Sequence, residues 1–134
     1  MIHYMLDTDI CIYIIKKRSA LVLNKLELLL PEQILISSVT IGELIYGVEK
    51  SEQREKNHSA LKNFMQPFTI SSFDADAALE LGKIRAHLEK KGQIIGIFDL
   101  MIAAQARALD VILVTNNERE FRRVPELRVE NWTK

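Results

Sequence analysis

A single cysteine, Cys11, excludes an internal disulfide from this 134-residue chain, and with it any structural zinc site built on two or more of its own cysteines. Excess charge of either sign is also lacking. Eighteen Lys and Arg balance 18 Asp and Glu, so bulk electrostatics make no case for a nucleic-acid partner. No run of about 18 apolar residues is present to span a bilayer. Met1–Leu6 is too short for the apolar core of a signal peptide and is followed at once by an acid. These absences lead to the expectation of no membrane association and a cytoplasmic location. The three histidines, His3, His58 and His87, show no metal-ligand spacing, and the chain has no Gly-rich phosphate loop, nucleophile elbow or zinc signature. Internal repeats and low-complexity linkers are missing too. With 48% hydrophobic residues, the chain is expected to fold as one domain over residues 1–134 with a substantial core.

What the chain does have is an uneven distribution of charge. Three 15-residue windows carry no Lys or Arg and almost no acid, although 27% of the whole chain is charged. Met1–Ile15 holds only Asp7 and Asp9, Ile34–Val48 only Glu43, and Gly92–Ala106 only Asp99. Segments this apolar favour burial, and a buried carboxylate is costly unless a cation or hydrogen-bond donor meets it. Acids held in apolar walls, with no basic residue beside them in sequence, point to a shared partner from outside the chain. A divalent metal is the simplest candidate.

Short apolar or β-branched runs at Ile2–Leu6, Ile34–Ser37 and Val111–Thr115 suit buried parallel strands. Helices are expected between and after them. They run over Ile10–Lys16 with Asp9 as N-cap, Ala20–Leu30 stopped by Pro31, Val39–Lys50, Arg54–Met65, Asp74–Lys91 stopped at Gly92, Phe98–Leu109 and Glu118–Arg123. Alternating strands and helices predict an α/β fold, with a mostly parallel central sheet flanked by helices on both faces. Ligands bind such sheets beyond the carboxyl ends of the strands. Asp7 and Thr115-Asn116-Asn117 follow the first and last expected strands, and so fall on that edge.

With Asp9 as the cap, Asp7 is left free for chemistry. Glu43 has two roles open to it. It completes a capping box with Thr40, or it faces a cavity from a helix apolar on nearly every side through Val39, Ile41, Leu44, Ile45, Tyr46 and Val48. Asp99 opens a helix, where its charge suits the dipole, but it also shares a face with Ile102, Ala103 and Ala106. Asn117 supplies a carbonyl oxygen that could coordinate a metal or orient water, though Asn-Asn after a strand also makes an ordinary turn. Cys11 and the histidines are read as structural. Lys16-Lys17-Arg18 and Arg119/Arg122/Arg123 form local basic clusters, and the Ile10–Ile15 and Ala20–Leu30 helices offer apolar surface to a partner helix.

Set in order, these segments resemble PIN-domain ribonucleases, specifically VapC-type toxins of bacterial toxin–antitoxin pairs. The matching stretches are Met5-Leu6-Asp7-Thr8-Asp9-Ile10, Ser37-Ser38-Val39-Thr40 with Glu43-Leu44-Ile45-Tyr46-Gly47, and Phe98-Asp99 with Met101-Ile102-Ala103-Ala104. Val114-Thr115-Asn116-Asn117, Glu120-Phe121 and Trp132 complete the set. The resemblance implies a PIN-like fold, Mg²⁺ or Mn²⁺ dependence, and an acidic constellation at Asp7, Glu43 and Asp99 that holds the metal. Asn117 falls at a fourth site position that is often Asp. It further implies a homodimer, a cognate VapB-type antitoxin that blocks the site, and an RNA substrate. The Asp7–Ile12 run and the Thr115–Asn117 ending look most like enteric members, which implies initiator tRNA cut in its anticodon loop. Two other classes compete with this one. Asp7-Thr8-Asp9 after a strand also resembles the nucleophile motif of haloacid-dehalogenase-like phosphohydrolases. That family's lysine motif and later acids would have to fit within the 19 residues after Thr115, which argues against it. A non-catalytic interaction module would explain the apolar helices but not three lone acids on one edge.

Overall fold

The computed structural model describes residues 1–134. Five strands form one sheet: β1 (Tyr4–Leu6), β2 (Ile34–Ser37), β3 (Thr69–Ser71), β4 (Ile112–Val114) and β5 (Val129–Glu130). Their order is β3-β2-β1-β4-β5 and every pairing is parallel. Seven helices cover it: α1 (Thr8–Ile15), α2 (Ala20–Glu27), α3 (Ser38–Glu49), α4 (Arg54–Met65), α5 (Ala75–Lys90), α6 (Ile97–Leu109) and α7 (Glu118–Phe121).

Alternation along the strands divides the core into two layers, because successive side chains leave a strand on opposite faces. Met5 and Leu113 pack with Ile84, Leu88, Ile102 and Phe121 beneath α5 and α6. Their neighbours Leu6 and Val114, with Ile34 and Ile36, pack with Ile10, Val22, Leu44 and Leu61 beneath α1 to α4. Helices therefore lie on both faces of an all-parallel sheet.

The chain builds the sheet outward from β1 to β2 and β3, then returns to the other side of β1 with β4 and β5. The winding direction reverses between β1 and β4, and the loops leaving their carboxyl ends diverge to open a crevice.

The expected strands and helices are all present, but two strands were not foreseen. β3 and β5 are the sheet edges, only three and two residues long, and Thr69 and Ile70 are exposed. Such segments lack the apolar run that marks a buried strand, and only pairing with β2 and β4 defines them. The helix expected over Ala20–Leu30 ends at Glu27, and Pro31–Gln33 forms a 3₁₀ turn. The first helix starts at Thr8, not Ile10, and its N-cap is Asp7, not Asp9. Strand β1 stops at Leu6, which leaves Asp7 extended (φ −74°, ψ 172°) with Oδ1 within 3.0 Å of the Ile10 N–H. Asp9 lies inside the first turn and is exposed. At the far end of α5, Gly92 adopts φ +65° and stops the helix where its sequence position suggested.

An ion pair ties α6 to α5 and to the segment between α7 and β5. Arg107 of α6 binds Glu80 of α5 and donates to the Pro125 carbonyl, 3.1 Å away, in the segment between α7 and β5. Both charged side chains are largely covered. Removing one member leaves a shielded charge without its partner, whereas replacing both with apolar groups does not. Glu80→Leu is therefore expected to lower the thermal midpoint more than the double variant Glu80→Leu/Arg107→Met, as calorimetry of the two proteins would read directly.

Candidate functional site

Residues from four separate segments meet at the crevice beyond β1 and β4. Asp7 follows β1 and is only 4% exposed. Its backbone N–H still donates to Val114 of β4 (2.9 Å), so the end of the sheet fixes the residue itself. One carboxylate oxygen accepts from the Ile10 N–H, and the other accepts from the Thr115 hydroxyl at 2.5 Å. Thr115 Oγ1 in turn accepts from the Asn117 N–H at 2.9 Å. Cap and site acid are thus the same residue, and Asp7 is not left free in the way an Asp9 cap would have left it.

Glu43 sits one and a half turns into α3, which begins at Ser38 with Ser37 as N-cap. The capping box with Thr40 does not form, because Thr40 lies in the helix and not at its start. Glu43 instead accepts a 2.6 Å hydrogen bond from the hydroxyl of Thr8 on α1, and that hydroxyl lies 3.3 Å from the buried Thr40 hydroxyl. Nor is α3 buried all round. Leu44 and Val48 face the core, while Gly42, Ile45, Tyr46 and Gly47 are exposed. The helix packs on one side only, and Glu43 stands half-buried between its two faces.

Asp99 occupies the first turn of α6 and is half-buried. The segment before it is not buried as its apolar composition suggested: Ile94, Ile97 and Phe98 are exposed. The buried part of that window is Ile95, Leu100 and Ile102–Ala106.

Electrostatics link the acids. Burial raises the Asp7 carboxyl from its ordinary 3.8 to about 7, despite the opposing hydrogen bonds from Thr115 and Ile10; the charges of Asp9 and Asp99 add to the rise. Asp99 is raised from 3.8 to about 6, first by burial and then by Glu43, Glu120 and Asp9. Asp7, Glu43 and Asp99 therefore share one field. Glu120 and Asp9 belong to it as well, although reasoning from sequence had not chosen either as a site residue. Glu120 reaches the crevice from α7, and its signal was the i+3 offset from Asn117 just after the last long strand. Asp9 was set aside as a cap, a role that Asp7 fills. Asn117 is the N-cap of α7 without a side-chain cap bond, tied to Asp7 through Thr115.

None of Asp7, Glu43, Asp99 and Glu120 forms an ion pair within the chain. The donors that reach Asp7 and Glu43 are hydroxyls and a backbone N–H, which orient carboxylates without neutralising them. An all-oxygen, net-negative set of this kind suits a hard divalent cation. No three of the carboxylates converge closely enough to ligate one ion together in this arrangement. Direct ligation would come from one or two of them, with water in the remaining positions, the usual mode for Mg²⁺.

Comparison with known proteins gives the family and the fold. Residues 4–127 match the PIN domain family. The chain is 46% identical over 133 residues to the tRNA(fMet)-specific endonuclease VapC of Shigella flexneri, covering 99% of this chain and 100% of the relative. It is 48% identical over 132 residues to ribonuclease VapC2 of Rickettsia felis, covering 98% of each. Its fold superposes with a TM-score of 0.92 on a chain in the crystal structure of VapBC2 from Rickettsia felis bound to a promoter DNA fragment, at 47% identity and covering 98% of this chain and 99% of that one.

The raised carboxyl of Asp7 makes stability depend on pH. The folded protein holds this proton up to about pH 7, whereas the unfolded chain releases it near 3.8, so the native state binds more protons in between and stability falls as pH rises through that window. The full shift corresponds to an upper bound of about 4 kcal/mol. In chelator, the difference in thermal midpoint between Asp7→Asn and wild type is expected to become more positive from pH 4.5 to pH 8. An equal difference at both pH values would show that burial of the charge does not limit stability.

Proposed function

Because this chain belongs to the PIN-domain family, among its VapC ribonucleases, we propose that residues 1–134 act in the cytoplasm as a single-domain, Mg²⁺- or Mn²⁺-dependent endoribonuclease toxin. Asp7, Glu43 and Asp99 hold the ion between them, directly or through its water ligands, with Asn117 at the fourth position of the catalytic set. The observation that carries this proposal is the group of carboxylates at the reversal of the sheet, sharing a field and meeting no cation of the chain's own. A bound divalent ion would supply charge stabilisation at a phosphodiester and lower the pKa of an attacking water. The chain's part is to hold the oxygens in place. Thr115 and the Ile10 N–H fix both oxygens of Asp7, and Thr8 fixes Glu43. Asp99 stands half-buried at the start of α6, open to an incoming strand.

The substrate is a single-stranded RNA loop, whose bases can be splayed and whose phosphates can reach a recessed acidic site. We assign initiator tRNA, cut in its anticodon loop, in line with the tRNA(fMet)-specific Shigella relative. In a chain of zero net charge, the phosphates flanking the cut meet a local basic rim. Lys16, Lys17 and Arg18 are exposed, as is Arg119. Arg122 pairs with Glu118, and Arg123 is held by the Ile94 carbonyl.

The partner is a VapB-type antitoxin, for which the VapBC2 complex of Rickettsia felis is the precedent. Two surfaces suit an amphipathic segment. Leu21, Leu28 and Leu30 are exposed on and after α2. A groove of about 340 Å³ between α1, α3 and α4 is lined by Ile12, Ile15, Leu44, Val48 and Leu61 and reaches Glu43. A basic antitoxin side chain entering along it would pair with the carboxylates and exclude the metal. Exposed Ile45 and Tyr46 on α3, with Ile97 and Phe98 at the start of α6, supply apolar surface for a homodimer.

Asp7→Asn, Glu43→Gln and Asp99→Asn are each expected to lower Mn²⁺-dependent cleavage of initiator tRNA by at least about 100-fold, the scale of losing a major electrostatic contributor. Near wild-type rates in all three would refute the metal site. An amide oxygen binds a hard cation more weakly than a carboxylate, so Asn117→Asp should tighten Mn²⁺ binding in a metal titration. Asn117→Ala should cost less activity than Asp7→Asn. RNA binding is expected to weaken steeply between 50 and 200 mM salt. Cleavage mapped mainly to ribosomal RNA would overturn the tRNA assignment and leave the nuclease intact.

A further inference from the structure

We propose that Gln105, a residue outside the carboxylate set, is a positioning residue that fixes Asp99 against Glu43. Gln105 lies on α6 and is 1% exposed; it is the only polar member of the buried face formed by Leu100, Ile102, Ala103, Ala104 and Ala106. Both ends of its amide are bonded. Oε1 accepts from the Ser37 hydroxyl at 2.6 Å, while Nε2 donates to the Ser71 carbonyl at 2.8 Å and to the Ser71 hydroxyl at 3.0 Å.

Both serines occupy particular places. Ser37 and Ser71 are register partners at the carboxyl ends of β2 and β3. Ser37 is also the N-cap of α3, its hydroxyl accepting from the Val39 N–H at 3.0 Å while donating to Gln105. One amide therefore joins the helix that carries Asp99 to two strand ends and to the origin of the helix that carries Glu43. Because hydrogen bonds are directional, a slide or rotation of α6 would break all three. The small side chains of Ala103, Ala104 and Ala106, buried on the same helix, supply little shape to resist such a slide.

Stability alone gives weak grounds for this arrangement. A satisfied polar cluster in a core is commonly matched or exceeded by apolar residues of the same shape, so its distinctive contribution is geometric. Here that geometry sets the spacing between two acids whose charges already influence each other. The role rests on the metal-binding function proposed above, and the test separates the two.

Full-length wild type, Gln105→Met, Ser71→Ala and a control, Val22→Ala on α2, would be titrated with Mn²⁺ by calorimetry or electron paramagnetic resonance, alongside thermal midpoints. Met keeps the length of Gln without its hydrogen bonds, and Val22 packs in the layer beneath α1 to α4, away from α6. Gln105→Met is expected to weaken Mn²⁺ binding roughly 10-fold, the low end for loss of an outer supporting group. It should lower kcat on RNA while leaving KM nearly unchanged. Ser71→Ala, the milder lesion, should weaken Mn²⁺ binding severalfold and carries the test should Gln105→Met fail to fold. Val22→Ala should lower the thermal midpoint without altering Mn²⁺ affinity. Wild-type affinity in both Gln105→Met and Ser71→Ala would overturn the positioning role alone, as would an equal loss in Val22→Ala. Failure of the wild-type protein to bind Mn²⁺ would overturn the metal site and this role with it.

Discussion

Burial of like charge without an internal counter-charge is the constraint around which this structure is arranged. Asp7 is almost wholly enclosed, yet the chain offers it only a hydroxyl and a backbone N–H. Such donors hold the carboxyl group in a defined orientation but do not offset the cost of charging it, so burial with neighbouring acids keeps its proton bound to about pH 7. A purely structural aspartate capping α1 would need neither this depth nor the company of Asp99. The cost is understandable when the site is completed from outside, because an ion that neutralises the cluster also removes the repulsion within it.

The sheet topology makes that concentration of acids possible. Reversal of winding between β1 and β4 opens the crevice, and parallel strands deliver every following loop to the same edge. Asp7 arrives directly from β1, Glu43 from the helix after β2, Asp99 from the helix before β4, and Asn117 and Glu120 from the segment after β4. Two threonines complete the frame: Thr115 orients Asp7, and Thr8 reaches across from α1 to Glu43. Further back, the Ser37–Gln105–Ser71 cluster and the Arg107–Glu80 pair hold α6 against the sheet and against α5. Rigid support behind a small set of like charges suits a reaction that needs fixed oxygen positions.

Much of this was legible in the sequence. The central strands announced themselves as short apolar runs, and the helices by their period and by Pro31 and Gly92. The isolation of Asp7, Glu43 and Asp99 in windows free of basic residues picked out three acids that the fold places in one electrostatic field, though not close enough for all three to ligate one ion. Where sequence patterns misled, the physical reason is visible. Apolar composition was taken to mean burial, but Tyr46 is 66% exposed and Phe98 is 52% exposed. Surface that a chain leaves apolar for contacts with other molecules has the same composition as core.

The sequence by itself determined the class of fold, the order of its helices and central strands and the isolation of its acids from basic residues, because periodicity and the placement of charge are local properties of the chain. Only the tertiary structure decided which acid caps α1, since that turns on where β1 stops pairing with β4. It alone brought Glu120 and Asp9 into the same field as Asp99, and gave Glu43 to Thr8 instead of to a capping box. The edge strands β3 and β5 were likewise settled only by pairing, as was the bond from Gln105 to two serines, 68 and 34 residues away in the chain. Contacts of this range depend on how the helices pack across the sheet, and no local pattern encodes them.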